Sequence, residues 1–196
     1  MEILQENVNF FNKIAKYYDK ILGFWLNRVF KRLLKEINIE NNSVILDAGC
    51  GTGNLLNILS KNKTFKLYGV DISPKMLEIA KMKLKNRAKL SLISVEKINY
   101  RNKFDYIFST EAFHHYESQE KAMKKFNLAL KKNGKLIITD LSFGRILNLV
   151  FNKLEPGNSK MNSKKEFYKL FKKYKFKNVK QKKLGLFIIL TVGEKD

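Results

Sequence analysis

The run Val44-Ile-Leu-Asp-Ala-Gly-Cys-Gly-Thr-Gly53 constrains this chain more than any other part of it. Val44–Asp47 is short and mostly apolar, as a strand buried on both sheet faces must be. Glycines then recur at alternate positions, 49, 51 and 53. Glycine can turn the backbone tightly and leaves no Cβ between the chain and a ligand. A helix follows from Asn54 to about Lys61. Strand, glycine turn and helix together open a βαβ unit, in which ligands sit at the carboxyl ends of the strands.

The same alternation continues downstream. Lys66–Asp71 reads as a second strand. Ser73-Pro74 starts a helix, with Ser as N-cap and Pro at the first helical position; it runs to about Lys85. Leu90–Val95 and Phe104–Ser109 read as strands three and four. Ser118–Lys131 reads as a helix stopped by Asn133-Gly134, and Lys135–Asp140 as strand five. Arg145–Leu154 and residues 163–174 read as helices. Phe176–Lys183 and Leu186–Val192 form a last strand pair around Gly185. Residues 9–37 carry an apolar helical stripe, which Gly23 is expected to divide into two helices. Parallel neighbours need a crossover, whereas a short turn forces antiparallel pairing. The pattern predicts one α/β domain over residues 1–196. Its seven-stranded sheet has five parallel strands and a C-terminal antiparallel hairpin, with helices on both faces.

Composition narrows the classes. No apolar run approaches the roughly 20 residues that span a bilayer, and residues 1–7 do not read as a secretory signal, so the expected location is cytoplasmic. One cysteine, Cys50, and two histidines leave almost nothing for a disulfide or a His/Cys metal site, and no metal is expected. The net charge is +21, from 39 Lys and Arg against 18 Asp and Glu. It fits an anionic membrane or nucleic-acid partner, but lysine and asparagine abound everywhere, which favours a general compositional bias. Lys160–Lys183 holds eleven lysines and one acid, Glu166, around an apolar stripe that reads as an amphipathic helix with a solvated face.

The glycine spacing separates candidate ligands. Dinucleotide folds use G-x-G-x-x-G. Here the pattern is G-x-G-x-G, and Asn54 stands where the third glycine would be. No Gly-Lys-Ser/Thr follows, which excludes a P-loop. Asp71, closing the second strand, can accept both hydroxyls of a ribose. Asp47–Gly53 resembles the first motif of class I S-adenosylmethionine-dependent methyltransferases, and Tyr68–Leu77 their second-strand motif. Phe104–Tyr116 resembles the fourth-strand motif of the small-molecule branch, which includes quinone-biosynthesis and phospholipid N-methyltransferases. Leu130–Ile138 resembles the fifth-strand motif, and Ile14–Asp19 the N-terminal segment that caps the cofactor.

That resemblance covers about residues 9–193 and implies a Rossmann-like sheet with S-adenosylmethionine as cofactor. It implies that Gly49, Gly51 and Gly53 form the cofactor loop, with Asp47 holding that loop and the ammonium side. Asp71 would bind the ribose, and Ile72 and Met76 would pack on the adenine. Thr110 would lie near the methionyl end, and Tyr18 would cover the carboxylate. The family often has an acid after strand three for the adenine amino group. Ser94 aligns there with Val95 beside it, and Glu96 lies two places on; either Ser94 substitutes or the loop shifts to Glu96.

Methyl transfer from a sulfonium expels a neutral thioether, so alignment and water exclusion matter most. A base is needed only when the nucleophile arrives protonated. His114 and His115, with Glu111 and Tyr116 nearby, are the candidates, and adjacent side chains diverge, so one of the two histidines should face the cofactor. Thr110-Glu-Ala-Phe113 departs from the [Asp/Asn/Ser]-Pro-Pro-[Tyr/Phe/Trp] sequence of nucleobase amino-methyltransferases. Residues 9–37 are expected to cap the site and residues 141–174 to form a substrate lid, giving with Phe24-Trp25-Leu26 an apolar entrance rimmed by lysine. The acceptor is expected to be a small molecule or a lipid- or quinone-like compound, with peripheral contact to anionic membrane. The alternatives are an RNA methyltransferase and a non-catalytic S-adenosylmethionine-binding regulatory protein.

Overall fold

In the computed structural model, which describes residues 2–142 and 160–196, β1 (Val44–Ala48) lies inside a seven-stranded sheet. β2 (Lys66–Asp71) and β3 (Ala88–Leu92) extend the sheet in parallel on one side of β1. β4 (Phe104–Thr110) and β5 (Leu130–Leu141) extend it in parallel on the other. β7 (Ile188–Lys195) pairs antiparallel with β5, and β6 (Phe176–Lys183) closes that edge, giving the order β3-β2-β1-β4-β5-β7-β6. The chain leaves β1 towards β2, then returns to β1's other side as β4. That reversal opens a crevice beyond the carboxyl ends of β1 and β4, where sheets of this kind take ligands.

Side-chain alternation along β1 explains the two layers. Ile45 joins a core built with α1 (Glu2–Glu36), α2 (Asn54–Leu59) and α3 (Pro74–Leu84). Leu46 and Ala48 face the opposite way, into a core with α4 (Gln119–Ala129) and α5 (Lys164–Lys173). Helices therefore cover both faces, as expected. Ser73 caps α3 by accepting from the Met76 amide at 3.1 Å, with Pro74 beginning the helix; such a cap is worth about 1 kcal/mol. The lysine-rich segment forms α5, which opens on a Ser163–Glu166 capping box and buries Phe167 and Phe171.

Three expectations differ from what forms. Gly23 does not divide the N-terminal segment: α1 is one 35-residue helix. An interior glycine costs about 1 kcal/mol, which the burial of Leu26, Val29, Phe30 and Leu33 outweighs. Asn133-Gly134 does not stop α4, which ends at Ala129, and Leu130 already pairs with Phe104. The dipeptide instead lies in a bulge of β5: Asn133 has φ 61, and a Cβ on Gly134 would stand 2.9 Å from the Lys131 carbonyl oxygen. The third strand starts and ends earlier than expected, at Ala88–Leu92, because it pairs with Leu67–Asp71. The helix expected over Arg145–Leu154 lies outside the described residues. No described helix is long and apolar enough to cross a membrane.

Candidate active site

A cavity of about 850 Å³, its open mouth included, lies at the crevice between β1 and β4. The glycine loop forms its floor. The Gly49 and Cys50 amides both donate to the Val70 carbonyl, at 2.8 and 3.0 Å, which turns the chain sharply after β1. Gly49, Gly51 and Gly53 all have left-handed φ, at 74, 52 and 77°, a region that side chains disfavour. A Cβ on Gly49 would sit 2.6 Å from the Ala112 Cβ. A Cβ on Gly53 would press on Leu84 and Ala80 of α3, at 3.0 and 3.1 Å. A Cβ on Gly51 would meet nothing within 4 Å. Gly49 and Gly53 are therefore required by packing, and Gly51 leaves open space at the cavity wall.

Asp71 braces this loop. One carboxylate oxygen accepts from the Gly51 amide at 2.8 Å and the other from the Ser73 amide at 2.9 Å. Burial raises its pKa, and these amides pull it back down. Asp47 has no such support. It is 1 % exposed, and its Oδ1 has no hydrogen-bond partner among the described residues. Burial, then the charge of Asp71, push its carboxyl from 3.8 up to about 8.

Glu111 begins the opposite wall with a left-handed φ of 51°. Both its carboxylate oxygens are buried without a hydrogen-bond partner among the described residues. Burial and then the charge of Asp140 push its pKa to about 8, and the charge of His114 offsets part of this. Tyr116 fixes the loop by donating to the Ala48 carbonyl at 2.9 Å and sharing a hydrogen bond with the Ser109 hydroxyl at 2.8 Å. The two histidines diverge. His114 binds Asp140 through both its amide, at 2.9 Å, and its Nδ1, and lies outside the cavity lining. His115 lines the cavity, and its Nδ1 has no hydrogen-bond partner among the described residues. Burial, then the charge of His114, hold its pKa well below the usual imidazole value, so the ring is neutral.

The roof is α1, whose inner face presents Phe11 and Tyr18, seven residues apart on one helical stripe, and further on Leu26 and Phe30. Polar ties hold this roof down. Asn7 donates to the His115 carbonyl at 3.0 Å, and Asn12 accepts from the Ser73 hydroxyl at 2.8 Å. Asp19 accepts from Thr52 at 2.6 Å and Asn54 at 2.8 Å while pairing with Lys83 at 2.7 Å. Although burial opposes it, the Lys83, Thr52 and Asn54 hydrogen bonds lower the Asp19 pKa. Half-exposed pairs of this kind contribute up to about 1 kcal/mol. Asp19→Ala is thus expected to cost little global stability but to speed amide exchange selectively in residues 5–20; uniform protection across α1 would contradict this tethering role.

Of the residues expected at the site, Tyr18, Asp47, Gly49, Gly51, Asp71, Ile72, Met76, Val95, Thr110 and His115 all line this one cavity. Gly53, Ser94 and His114 do not. The loop after β3 brings Glu96 to the cavity instead of Ser94, with Glu96 Oε1 accepting from the Ser118 amide at 3.2 Å. No described residue of 141–174 lines the cavity, and α5 packs in the core, so the visible cover is α1. Phe11, Ile93 and Glu117 line it unexpectedly. Electrostatically, Asp47, Asp71, Glu96, Glu111 and Glu117 reach the lining, and no described Lys or Arg does, in a chain of net charge +21.

A model of a family described as a methyltransferase domain matches residues 39–187. The chain belongs to that methyltransferase-domain family. The demethylmenaquinone methyltransferase of Staphylococcus saprophyticus is 30% identical over 141 residues, 67% of this chain and 60% of that protein. Haemonchus contortus phosphoethanolamine N-methyltransferase 2, solved with phosphomonomethylethanolamine and S-adenosylhomocysteine, superposes with a TM-score of 0.76 at 20% identity, over 87% of this chain and 43% of that one. The [4+2]-cyclase SpnF superposes equally well, with a TM-score of 0.76 at 13% identity over 86% of this chain and 80% of that one. This methyltransferase domain spans 54 to 66% of the length of the first curated relatives it matches. A fold that also serves a cyclase does not define the reaction; the chemistry of the cavity must.

Proposed function

We propose that this methyltransferase domain binds S-adenosylmethionine and moves its methyl group to a small-molecule acceptor of the lipid- or quinone-like kind. The observation that carries this is the acidic cavity of a basic protein, with Asp47 Oδ1 buried and unpartnered in it. A buried carboxyl without a partner costs free energy unless a ligand supplies one, and the cofactor carries both an ammonium and a sulfonium cation. The open space at Gly51 is a cradle for a ligand that lies against backbone. Asp71, already braced by two amides, keeps lone pairs for a ribose diol. Ile72, Met76 and Val95 offer an apolar slot for adenine, with Glu96 the acid beside it.

Bound there, the cofactor supplies a methyl group whose leaving thioether is neutral, so no general acid is required of the protein. Under this reading the domain's own residues orient the partners and exclude water. Phe11 and Tyr18 roof the cavity, and Tyr116 holds the loop that carries Glu111 and His115. Neutral His115, whose Nδ1 has no hydrogen-bond partner among the described residues, is the group available to accept a proton from an acceptor that arrives protonated. The relative named a demethylmenaquinone methyltransferase supports an acceptor of the quinone-like kind.

Calorimetric titration with S-adenosylhomocysteine tests the cofactor half. Saturable binding is expected, with Asp71→Ala weakening it beyond detection; unchanged affinity in that variant would sink the ribose assignment. Transfer of labelled methyl into quinols or amine headgroups, compared with buffer alone, tests the acceptor half.

A further inference from the structure

α1 carries two apolar stripes. The inner one, through Leu26, Val29, Phe30 and Leu33, is core. The outer one runs through Tyr17, Ile21 and Phe24, spaced by four and three residues and so aligned on one face. These side chains are 53, 71 and 76 % exposed. Trp25, 40 % exposed, flanks the stripe. The β6–β7 turn adds Leu186 at 79 % and Phe187 at 43 %, and stands beside α1 because Arg32 donates to the Leu184 carbonyl at 2.8 Å. Large side chains grouped on one surface in this way mark a docking site rather than ordinary surface scatter.

The charges around the stripe specify the partner. Between residues 13 and 35, Lys13, Lys16, Lys20, Arg28, Lys31 and Lys35 are exposed, and Arg28 stacks over the Phe24 ring at 5.6 Å. The acid in that span, Asp19, is partly exposed but has its charge paired with Lys83 at 2.7 Å. An apolar ridge bordered mainly by cations does not suit a second copy of itself, whose own cations would oppose it. It does suit an anionic bilayer: lysines meet lipid headgroups while aromatic and aliphatic tips enter the acyl boundary. We infer that the outer face of α1, with the β6–β7 turn, docks peripherally on anionic lipid membrane. Since the inner face of the same helix roofs the cavity, the docked protein would take an acceptor that partitions into the bilayer; this last step rests on the proposed methyl transfer, whereas the docking does not.

Trp25 is the chain's only tryptophan and lies within the surface, so it reports directly. With vesicles of phosphatidylglycerol and phosphatidylcholine, Trp25 emission is expected to shift to the blue and the protein to co-sediment. Pure phosphatidylcholine should give neither effect. Raising salt from about 0.1 to 1 M, which shrinks the screening length from about 10 to 3 Å, should release the protein. Ile21→Ser with Phe24→Ser should weaken vesicle binding at least about tenfold, since two large side chains lose their apolar insertion, while leaving thermal unfolding and S-adenosylhomocysteine affinity unchanged. Equal binding to neutral vesicles, or no Trp25 shift with anionic ones, would overturn the proposal. So would a wild-type dimer that the double variant dissociates, which would assign the face to a second copy. Absent vesicle binding with intact S-adenosylhomocysteine affinity sinks docking alone; the converse supports docking and sinks the methyltransferase reading.

Discussion

Alanine at Gly49 is expected to destabilise the fold severely, whereas alanine at Gly51 is expected to leave it folded and impair ligand binding. The two positions share a left-handed backbone, so each substitution carries about 1 kcal/mol of conformational strain. They differ in surroundings. The new methyl at Gly49 would lie 2.6 Å from the Ala112 Cβ. It cannot withdraw, because the Gly49 amide is held to Val70 at 2.8 Å and the Tyr116 hydroxyl, anchored to Ala48, stands 3.5 Å from the same point. Overpacking of this kind adds about 1–3 kcal/mol. For a domain of this size the sum lowers the unfolding midpoint by roughly 5–15 °C. At Gly51 the methyl enters open space, so only the strain remains and the midpoint falls by about 2–4 °C. That space is where the proposed cofactor would lie against the chain, so its affinity should fall at least about tenfold, about 1.4 kcal/mol. Thermal unfolding and titration of S-adenosylhomocysteine on both variants make the comparison. Equal melting losses at the two glycines would refute the division between packing and cradle.

The glycine loop also shows where reading residues succeeds and where it stops. Strands β1, β2 and β4 and the start of α3 were legible because their signals are local: a short apolar run, or Ser73-Pro74 with its own amide partner three residues on. Gly23 and Asn133-Gly134 misled because each signal is weak and tertiary packing overrode it. α1 stays continuous for the sake of the core residues beyond Gly23, and Leu130 prefers pairing with Phe104 to one more helical turn. The site follows the same rule. Asp47, Gly51 and Asp71 fall at strand ends, which the topology fixes. His114 and His115 are adjacent, and only Asp140, 26 residues away and reached through β5, decides which one turns from the cavity. Glu96 lines the cavity and Ser94 does not, with β3 ending at Leu92 in a register set by its pairing with β2. Asp19 acts through Thr52, Asn54 and Lys83, and no short-range pattern announces a contact across 33 residues or more.

Binding of S-adenosylhomocysteine at pH 7 is expected to expel a proton from Asp47, and this makes the cavity's acidity measurable. Empty, the buried Asp47 carboxyl has its pKa at about 8, against 3.8 when unburied; Glu111 stands at about 8 against 4.5. Both are therefore neutral in the folded chain at pH 7 and ionised in the unfolded chain. The unfolded state binds fewer protons across that window, so stability declines as pH rises from about 4 to about 8. Each unit of separation corresponds to about 1.4 kcal/mol. An ammonium group brought to Asp47 Oδ1 reverses the preference, because the charged pair needs the carboxylate. Below pH 8 the affinity should then rise by up to about tenfold per pH unit for the one proton released. Calorimetry in two buffers of different ionisation enthalpy counts that proton directly. Asp47→Asn should abolish the release and weaken binding by about ten- to a hundredfold, the worth of a hydrogen bond to a charged group. Without ligand, the same variant should keep its stability better than wild type as pH rises from about 4 to about 8, since it lacks the carboxyl that stays protonated when folded and ionises on unfolding. If proton release persists undiminished in Asp47→Asn, the cation is held elsewhere in the cavity, and the unpaired Glu111 becomes its counter-charge.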